Sequence, residues 1–538
     1  MELPSPLPIA AYPPAPALEA GKPAKIRKII TYSLFGLLVL FSYANQLIYR
    51  YQVPPGGDGI NHNIIVTSIL AGHWRSAFTY HIVWHLMIAG LALITHARSI
   101  TVMAWLGPLL LVSGGVTLYY FNKKYFGWAA GITALILFSF FSRQPLQTLY
   151  DGGFPDVLAG ATVLPLVLMA VENVSGSSRK GWAVGLLLIS LLVLLYSHHL
   201  TFLFAVALLA IYLIIQLVLT LHRRGWRWWQ LVLIGLGAYA AAVIIGGLFL
   251  NHTETSAASL ARMFMAINWR WPFIHLIGQV ADPNQIFDIT AYPNALGESL
   301  VYLGLGGLAV AIGYFLQKSD SPRGRVSLLL LVWLTVLALG SRNPHLGFPS
   351  RLMRDLAIPL TLLAGVFIQA VTDFCQSRRL PRFLLATIIV LSFATGWLTL
   401  FARVGEAVRP NPLVYHLAGD RAVVNWMNAN LPAGSTILSF PGDIYLPLFL
   451  NNQKVLVGYP AEDELKITDP TEIPRIFPRA QYVYFQYRLD QPTSDVNNLS
   501  NLETYKGSET LELLTDDISP QEEVYIFRVV GRSKGLMP

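Results

Sequence analysis

The residues that could do chemistry gather in a few short polar islands. The first is Pro54 to Asn63, PPGGDGINHN, where Asp58 stands between Gly57 and Gly59 and is followed by Asn61, His62 and Asn63. Glycines on both sides let the backbone turn sharply and hold the carboxylate away from the chain. A carboxylate so held could take a proton from a hydroxyl or orient it. The competing reading is a turn aspartate capping a helix that begins near Ile60, a common use of Asp-Gly. The second island, Tyr150 to Asp156, reads YDGGFPD and has the same character. Asp151 and Asp58, facing one cleft, could hold a divalent cation (Mg or Mn) through oxygens, or divide base and ligand roles between them. Asp156 reads more simply as the start of a helix after Pro155.

Ser197-His198-His199 interrupts a long apolar stretch. Adjacent histidines point to different sides of a helix, so at most one of them reaches a common cleft. Without an HxxxH spacing for a metal pair, polar capping of a tight turn is the plainer role. The fourth island, Phe348 to Asp355, places Arg351 and Arg354 three apart. That spacing puts both guanidinium groups on one helical face, where they suit a phosphate at headgroup depth. The alternative pairs Arg354 with an acid such as Asp355 and lets Arg351 snorkel to lipid phosphates.

These islands need elements to position them, and the composition says which. With 54% hydrophobic and 13% charged residues over 538 positions, the chain has too little charge to cover a large soluble globule. It reads as an α-helical polytopic membrane protein. The net charge of +8 sits in short basic clusters between apolar runs, where it sets topology and does not bind nucleic acid. The lone Cys375 excludes an intramolecular disulfide and a cysteine zinc cluster.

Residues 1–28 read as a disordered, proline-rich cytoplasmic tail ending in Lys22, Lys25, Arg27 and Lys28. The run from Ile29 to about Tyr49 follows as a signal anchor with its N-terminus in the cytoplasm. Placing the later clusters in the cytoplasm (Lys123/Lys124, Arg179/Lys180, Arg223/Arg224/Arg227, Lys318/Arg323/Arg325 and Arg378/Arg379/Arg382) predicts about eleven spans within a membrane domain, 29–402. Tyr80 to Thr95 is apolar, but counting it as a span would put every later cluster outside. It is therefore expected to lie in the interface or to re-enter, within an outer loop 50–99. All four islands then fall on the outer face.

Gly304-Leu305-Gly306-Gly307 lies inside a span and reads as helix packing, not as a nucleotide loop. From Arg403 to the C-terminus the composition turns mixed. A helix over Asp420 to Asn430 and strands at Thr436–Phe440, Lys454–Val457, Gln481–Tyr487, Thr510–Leu514 and Val524–Val530 predict a small extracytoplasmic α/β domain, a three-layer sandwich.

With these pieces placed, the chain resembles the GT-C superfamily of membrane glycosyltransferases, which take sugars from polyprenyl-phosphate donors. Gly57-Asp58-Gly59 with Asn61-His62 is similar to the acidic first-loop motif, and Asp151 to a second-loop acid. Ser197-His198-His199-Leu200-Thr201 resembles a His-containing motif of bacterial members, and Arg351 stands where an arginine contacts donor phosphate. The chain has no DxD pair and no WWDYG-like acceptor motif. The resemblance implies an inverting transfer at the outer face of the plasma or inner membrane. In it Asp58 and Asp151 are catalytic, and His62, His198, His199, Arg351 and Arg354 contact substrate. The implied partners are a polyprenyl-phosphate-linked sugar, membrane lipid and a glycan, lipid or protein acceptor. Readings from other classes are a transporter or flippase of lipid-linked saccharides, against which stands the lack of internal repeats, and a non-catalytic membrane scaffold.

Overall fold

A computed structural model describes residues 21–49, 54, 58–70, 72, 82–144, 146–150, 152–176, 180–223, 286, 288–343, 349–378, 387, 389–391, 393–394, 396–408, 417–439, 454–457, 469–487, 499–515 and 523–530. Asp151, the expected span over 230–250 and most of the loop 251–294 lie outside the described residues.

Among the described residues the membrane part is helical. α1 (Gly21–Tyr49) is followed by α2 (Asp58–Leu70), α3 (Ile82–Thr95), α4 (Ser99–Tyr125) and α5 (Trp128–Ile136), which runs into a π-helical turn, Leu137–Phe141. A second π-helical turn, Leu158–Val163, joins α6 (Phe154–Val157) to α7 (Leu164–Gly176). Then come α8 (Lys180–Ser197), α9 (His199–Arg223), α10 (Glu298–Lys318), α11 (Pro322–Gly340), α12 (Pro349–Asp355), α13 (Ala357–Ser377) and α14 (Trp397–Val408).

Among the described residues seven helices are long and apolar enough to cross a membrane, and three apolar helices are shorter: Ile82–Thr95, Trp128–Phe141 and Gly181–Ser197. The expected eleven is thus not reached among them: two expected spans fall short in length, 230–250 lies outside the described residues, and 383–402 is described only in part. The 14 residues of α3 extend about 21 Å at 1.5 Å per residue, less than the ~30 Å hydrocarbon core. α3 nevertheless buries Ile82, Trp84, His85, Ile88, Ala89 and Ala92 against the bundle.

The helix pairs that approach most closely do so over glycine. A Cβ on Gly304 would stand 2.7 Å from a Leu360 methyl, and one on Gly307 only 1.8 Å from the Leu363 carbonyl oxygen. The glycines of α10 thus let the backbone of α13 come into contact, as the sequence reading expects. Gly307→Val should abolish recovery of a monodisperse protein in detergent, since backbone cannot step aside. Gly313→Ala, with nothing within 4 Å of its Cβ, should leave the size-exclusion profile unchanged.

The π-helical turns break the ordinary ladder and leave carbonyls for other partners. At the first of them the buried Arg403 of α14 donates from Nη2 to the Ser139 carbonyl at 3.1 Å and sits 5.6 Å from the Phe41 ring centre. That contact ties the last helix to α1 and α5.

After α14 the chain forms α15 (Leu417–Asn430) and a five-stranded sheet of β1 (Thr436–Ser439), β2 (Lys454–Val457), β3 (Tyr482–Tyr487), β4 (Leu511–Thr515) and β5 (Glu523–Val529), with α16 (Leu499–Lys506) before β4. The order is β2-β1-β3-β5-β4; β1 lies parallel to β2 and β3, and β5 antiparallel to β3 and β4. All five strands fall within one residue of their expected starts. Alternate residues face opposite sides: Ile437, Tyr482, Tyr484, Val524 and Ile526 pack with Val423 and Met427 of α15, while Leu438, Val483, Phe485 and Phe527 pack with Leu502 and Tyr505 of α16. Both faces are covered, which is the sandwich the strand pattern predicts. α16, a mostly polar helix, was not legible in the sequence.

Candidate functional site

One short segment, Gly152 to Asp156, connects the polar islands. Gly152 has φ +90° and packs so closely against the start of α2 that a Cβ there would lie 2.7 Å from the Asp58 Cβ and 3.0 Å from the Gly59 nitrogen. Only glycine combines that backbone conformation with that approach. The Gly152 carbonyl accepts a hydrogen bond from His62 Nε2 at 3.1 Å. With the proton on Nε2, His62 Nδ1 is an acceptor, so His85 Nε2, at 3.0 Å, donates to it. Two residues on, Phe154 stacks on Trp84 with ring centres 5.1 Å apart and meets His62 at 5.9 Å. Ser99 Oγ donates to Asn63 Oδ1 at 2.6 Å, fixing α2 to the start of α4. The first-loop helices α2 and α3 are therefore locked to the second loop, with the Asp58 side chain exposed at the first turn of α2.

Asp156 follows in the first turn of α6. Its Oδ1 lies 2.6 Å from His198 Nε2, and its Oδ2 lies 3.9 Å from Arg351 Nη1. The Thr201 backbone N–H donates to His198 Nδ1 at 3.3 Å, and Thr201 Oγ1 lies 2.8 Å from the same atom. Nδ1 being an acceptor, the proton of the neutral ring is on Nε2 and is donated to Asp156. His198 sits at the break between α8 and α9, which turns its ring toward Asp156. Arg351 and Arg354 both act electrostatically on Asp156 and Asp355. Arg354, Asp156 and Asp355 line one small cavity with Gln144 and Thr148.

The structure thus brings together Asp58, His62, His198, Arg351 and Arg354 of the expected residues, at one end of the bundle. His62 spends both ring nitrogens within the protein. Both adjacent histidines are buried, and His198 is the one that contacts Asp156. Asp156, read from the sequence as a helix start, takes the central place. The signal that could have found it is the alignment of a carboxylate one turn inside an apolar span with the histidine that interrupts another.

No protein-family model matches this sequence, and no curated protein matches it either. Solved structures do resemble the fold. The archaeal oligosaccharyltransferase AglB from Archaeoglobus fulgidus, in complex with an inhibitory peptide and a dolichol-phosphate, superposes with a TM-score of 0.59 and 13% identity, over 85% of this chain and 69% of that one. ArnT from Cupriavidus metallidurans bound to undecaprenyl phosphate gives 0.54 and 13%, over 96% and 100%. The arabinofuranosyltransferase AftD from Mycobacteria gives 0.53 and 14%, over 94% of this chain but only 42% of that one. All three are GT-C glycosyltransferases. The chain has the GT-C fold.

Among the described residues no group of three or more His, Cys, Asp or Glu is placed to hold a metal ion. The nearer oxygens of Asp156 face His198 and Arg351, and Asp151 lies outside the description.

The first-loop lock carries a pH dependence. Burial pushes His62 down to about 4, against the opposing pull of the Asp58 carboxylate. An unfolded histidine titrates near 6.5, so between about 6.5 and 4 the unfolded segment binds the extra proton. The stabilisation is complete above 6.5 and is lost as pH falls toward 4, by about 3 kcal/mol in total. Limited proteolysis between α2 and α3 should accelerate over that window, and His62→Asn should flatten the dependence.

Proposed function

We propose that the protein is a glycosyltransferase that moves a sugar from a polyprenyl-phosphate donor to an acceptor at the outer membrane surface, with its N-terminus cytoplasmic. The observation that supports this reading is the segment 152–156 in a GT-C fold, which packs against Asp58 through Gly152 and sets Asp156 beside His198 and Arg351. Asp58, on an exposed helix start, accepts the proton of the acceptor hydroxyl as it attacks the anomeric carbon. The departing polyprenyl phosphate gathers negative charge, which Arg351 and Arg354 stabilise by charge-assisted hydrogen bonds. Attack opposite the leaving phosphate inverts the anomeric centre. Asp156, held by His198, fixes where the two arginines stand. The small α/β unit after residue 402 is then extracytoplasmic.

The test is incubation of purified, reconstituted protein with radiolabelled polyprenyl-phosphate sugars and a membrane extract as acceptor source. Release of polyprenyl phosphate coupled to appearance of label in a new product is expected. Movement of the intact lipid-linked sugar between leaflets, with no bond broken, would replace this reading by a flippase.

A further inference from the structure

Outside the cleft, a cavity of about 360 Å³ lies at the opposite end of the bundle. Its walls include Lys124 and Tyr125 at the end of α4, Glu172 on α7, Trp182 and Leu186 near the start of α8, and Arg325 on α11. Glu172 is 16 residues beyond Asp156 along one continuous helical span, about 24 Å at 1.5 Å per residue. Ser99 marks the cleft end of α4, and Lys124 is 25 residues further, about 37 Å. These distances bracket the ~30 Å hydrocarbon core, so cavity and cleft open at opposite membrane surfaces.

The chemistry of the walls is specific. The buried Glu172 carboxylate accepts from Arg325 Nε at 3.0 and 3.1 Å, and Arg325 Nη1 donates to the Asp320 carbonyl at 2.5 Å. Lys124 Nζ donates to Asn173 Oδ1 at 2.6 Å and lies 4.9 Å from the Tyr125 ring centre. An ammonium has three donors, and the described residues take one. Lys124 and Arg325 against Glu172 give the cavity lining one net positive charge, with the Asp320 carboxylate acting on Arg325 from outside it. Tyr125 is 8% exposed, and its hydroxyl has no hydrogen-bond partner among the described residues. On the outward side Trp182 is 69% exposed and Leu186 37% exposed, an apolar wall that in a membrane faces lipid, with tryptophan at the depth it prefers.

We propose that this cavity binds the phosphodiester headgroup of a membrane phospholipid, separate from the transfer site. Lys124 donates to the phosphate oxygens, and Arg325, held by Glu172, adds charge from behind. An acyl chain leaves the cavity along Trp182 and Leu186. Basic pockets between helices at a membrane surface recognise anionic headgroups in this way. The occupant is a lipid and not free phosphate because the cavity opens sideways onto the exposed apolar face of α8.

Native mass spectrometry of the full-length protein, titrated in detergent with phosphatidylglycerol or with an uncharged digalactosyl lipid of the same acyl length, tests the assignment. One phosphatidylglycerol should be retained in preference to the uncharged lipid. Lys124→Ala should weaken retention at least tenfold, while Lys318→Ala, an exposed cation outside the cavity, should not change it. Equal retention by wild type and Lys124→Ala, or equal binding of the two lipids, would overturn the proposal. Displacement of the lipid by millimolar inorganic phosphate would overturn the lipid assignment in favour of a free anion. Because Lys124 is exposed, its replacement by alanine leaves folding intact, which the unchanged thermal unfolding of the variant would confirm.

Discussion

Asp58→Asn is expected to reduce sugar transfer by about a thousandfold or more while leaving the protein folded. The magnitude is that of losing a positioned general base, typically 10²–10⁴-fold. Asparagine has the shape of aspartate and keeps a hydrogen-bonding oxygen, but its amide does not accept the acceptor's proton. The side chain is exposed, so the substitution buries nothing unsatisfied, and surface changes of this kind shift stability by less than about half a kcal/mol. The affinity for the polyprenyl-phosphate donor should be unchanged, because the arginines that would grip the phosphate are untouched. The measurement is single-turnover release of polyprenyl phosphate beside size-exclusion and unfolding profiles of both proteins. Undiminished turnover in the variant would leave Asp58 with only the role of an acidic residue in the first turn of a helix.

Asp156→Asn should act differently, lowering transfer by about a hundredfold and also weakening the fold. The carboxylate receives the His198 proton at 2.6 Å and faces Arg351 at 3.9 Å. Neutralising it leaves two arginines beside a cleft with Asp355 as the nearby acid, so their guanidinium groups shift from where the leaving phosphate would meet them. Removing one partner of a buried pair costs about 3–5 kcal/mol. Asp156 keeps 21% of its side chain exposed, so solvent offsets part of this and about 2 kcal/mol is expected. Such a loss would lower KM-normalised turnover chiefly through donor affinity, in contrast to Asp58→Asn. His198→Asn should reproduce part of the effect, and the double variant should be little worse than Asp156→Asn alone, the signature of two residues acting as a unit. Additive losses would show that Asp156 and His198 contribute separately.

The sequence alone carried the helical membrane class, because a long apolar run bounded by basic residues has few places to go other than a bilayer. It carried the five strands, whose period-two alternation is local, and the glycine packing of α10, whose meaning depends on spacing within one helix. It also carried Asp58, Arg351 and Arg354 as residues worth weighing, since glycine flanks and three-residue spacing are read without knowing any partner. What it could not carry was company. Asp156 looked like a helix start because its own neighbours say no more than that. Its importance comes from His198, 42 positions away in sequence, and from Arg351 on a further helix, brought together by helix packing and by a π-helical turn that no local pattern announced. His62 likewise looked like a substrate contact until Gly152 and His85 took both of its nitrogens. Spacing and hydropathy are properties of one segment and survive in the sequence; the pairing of charges and rings across segments is decided by packing, and only the tertiary structure holds it.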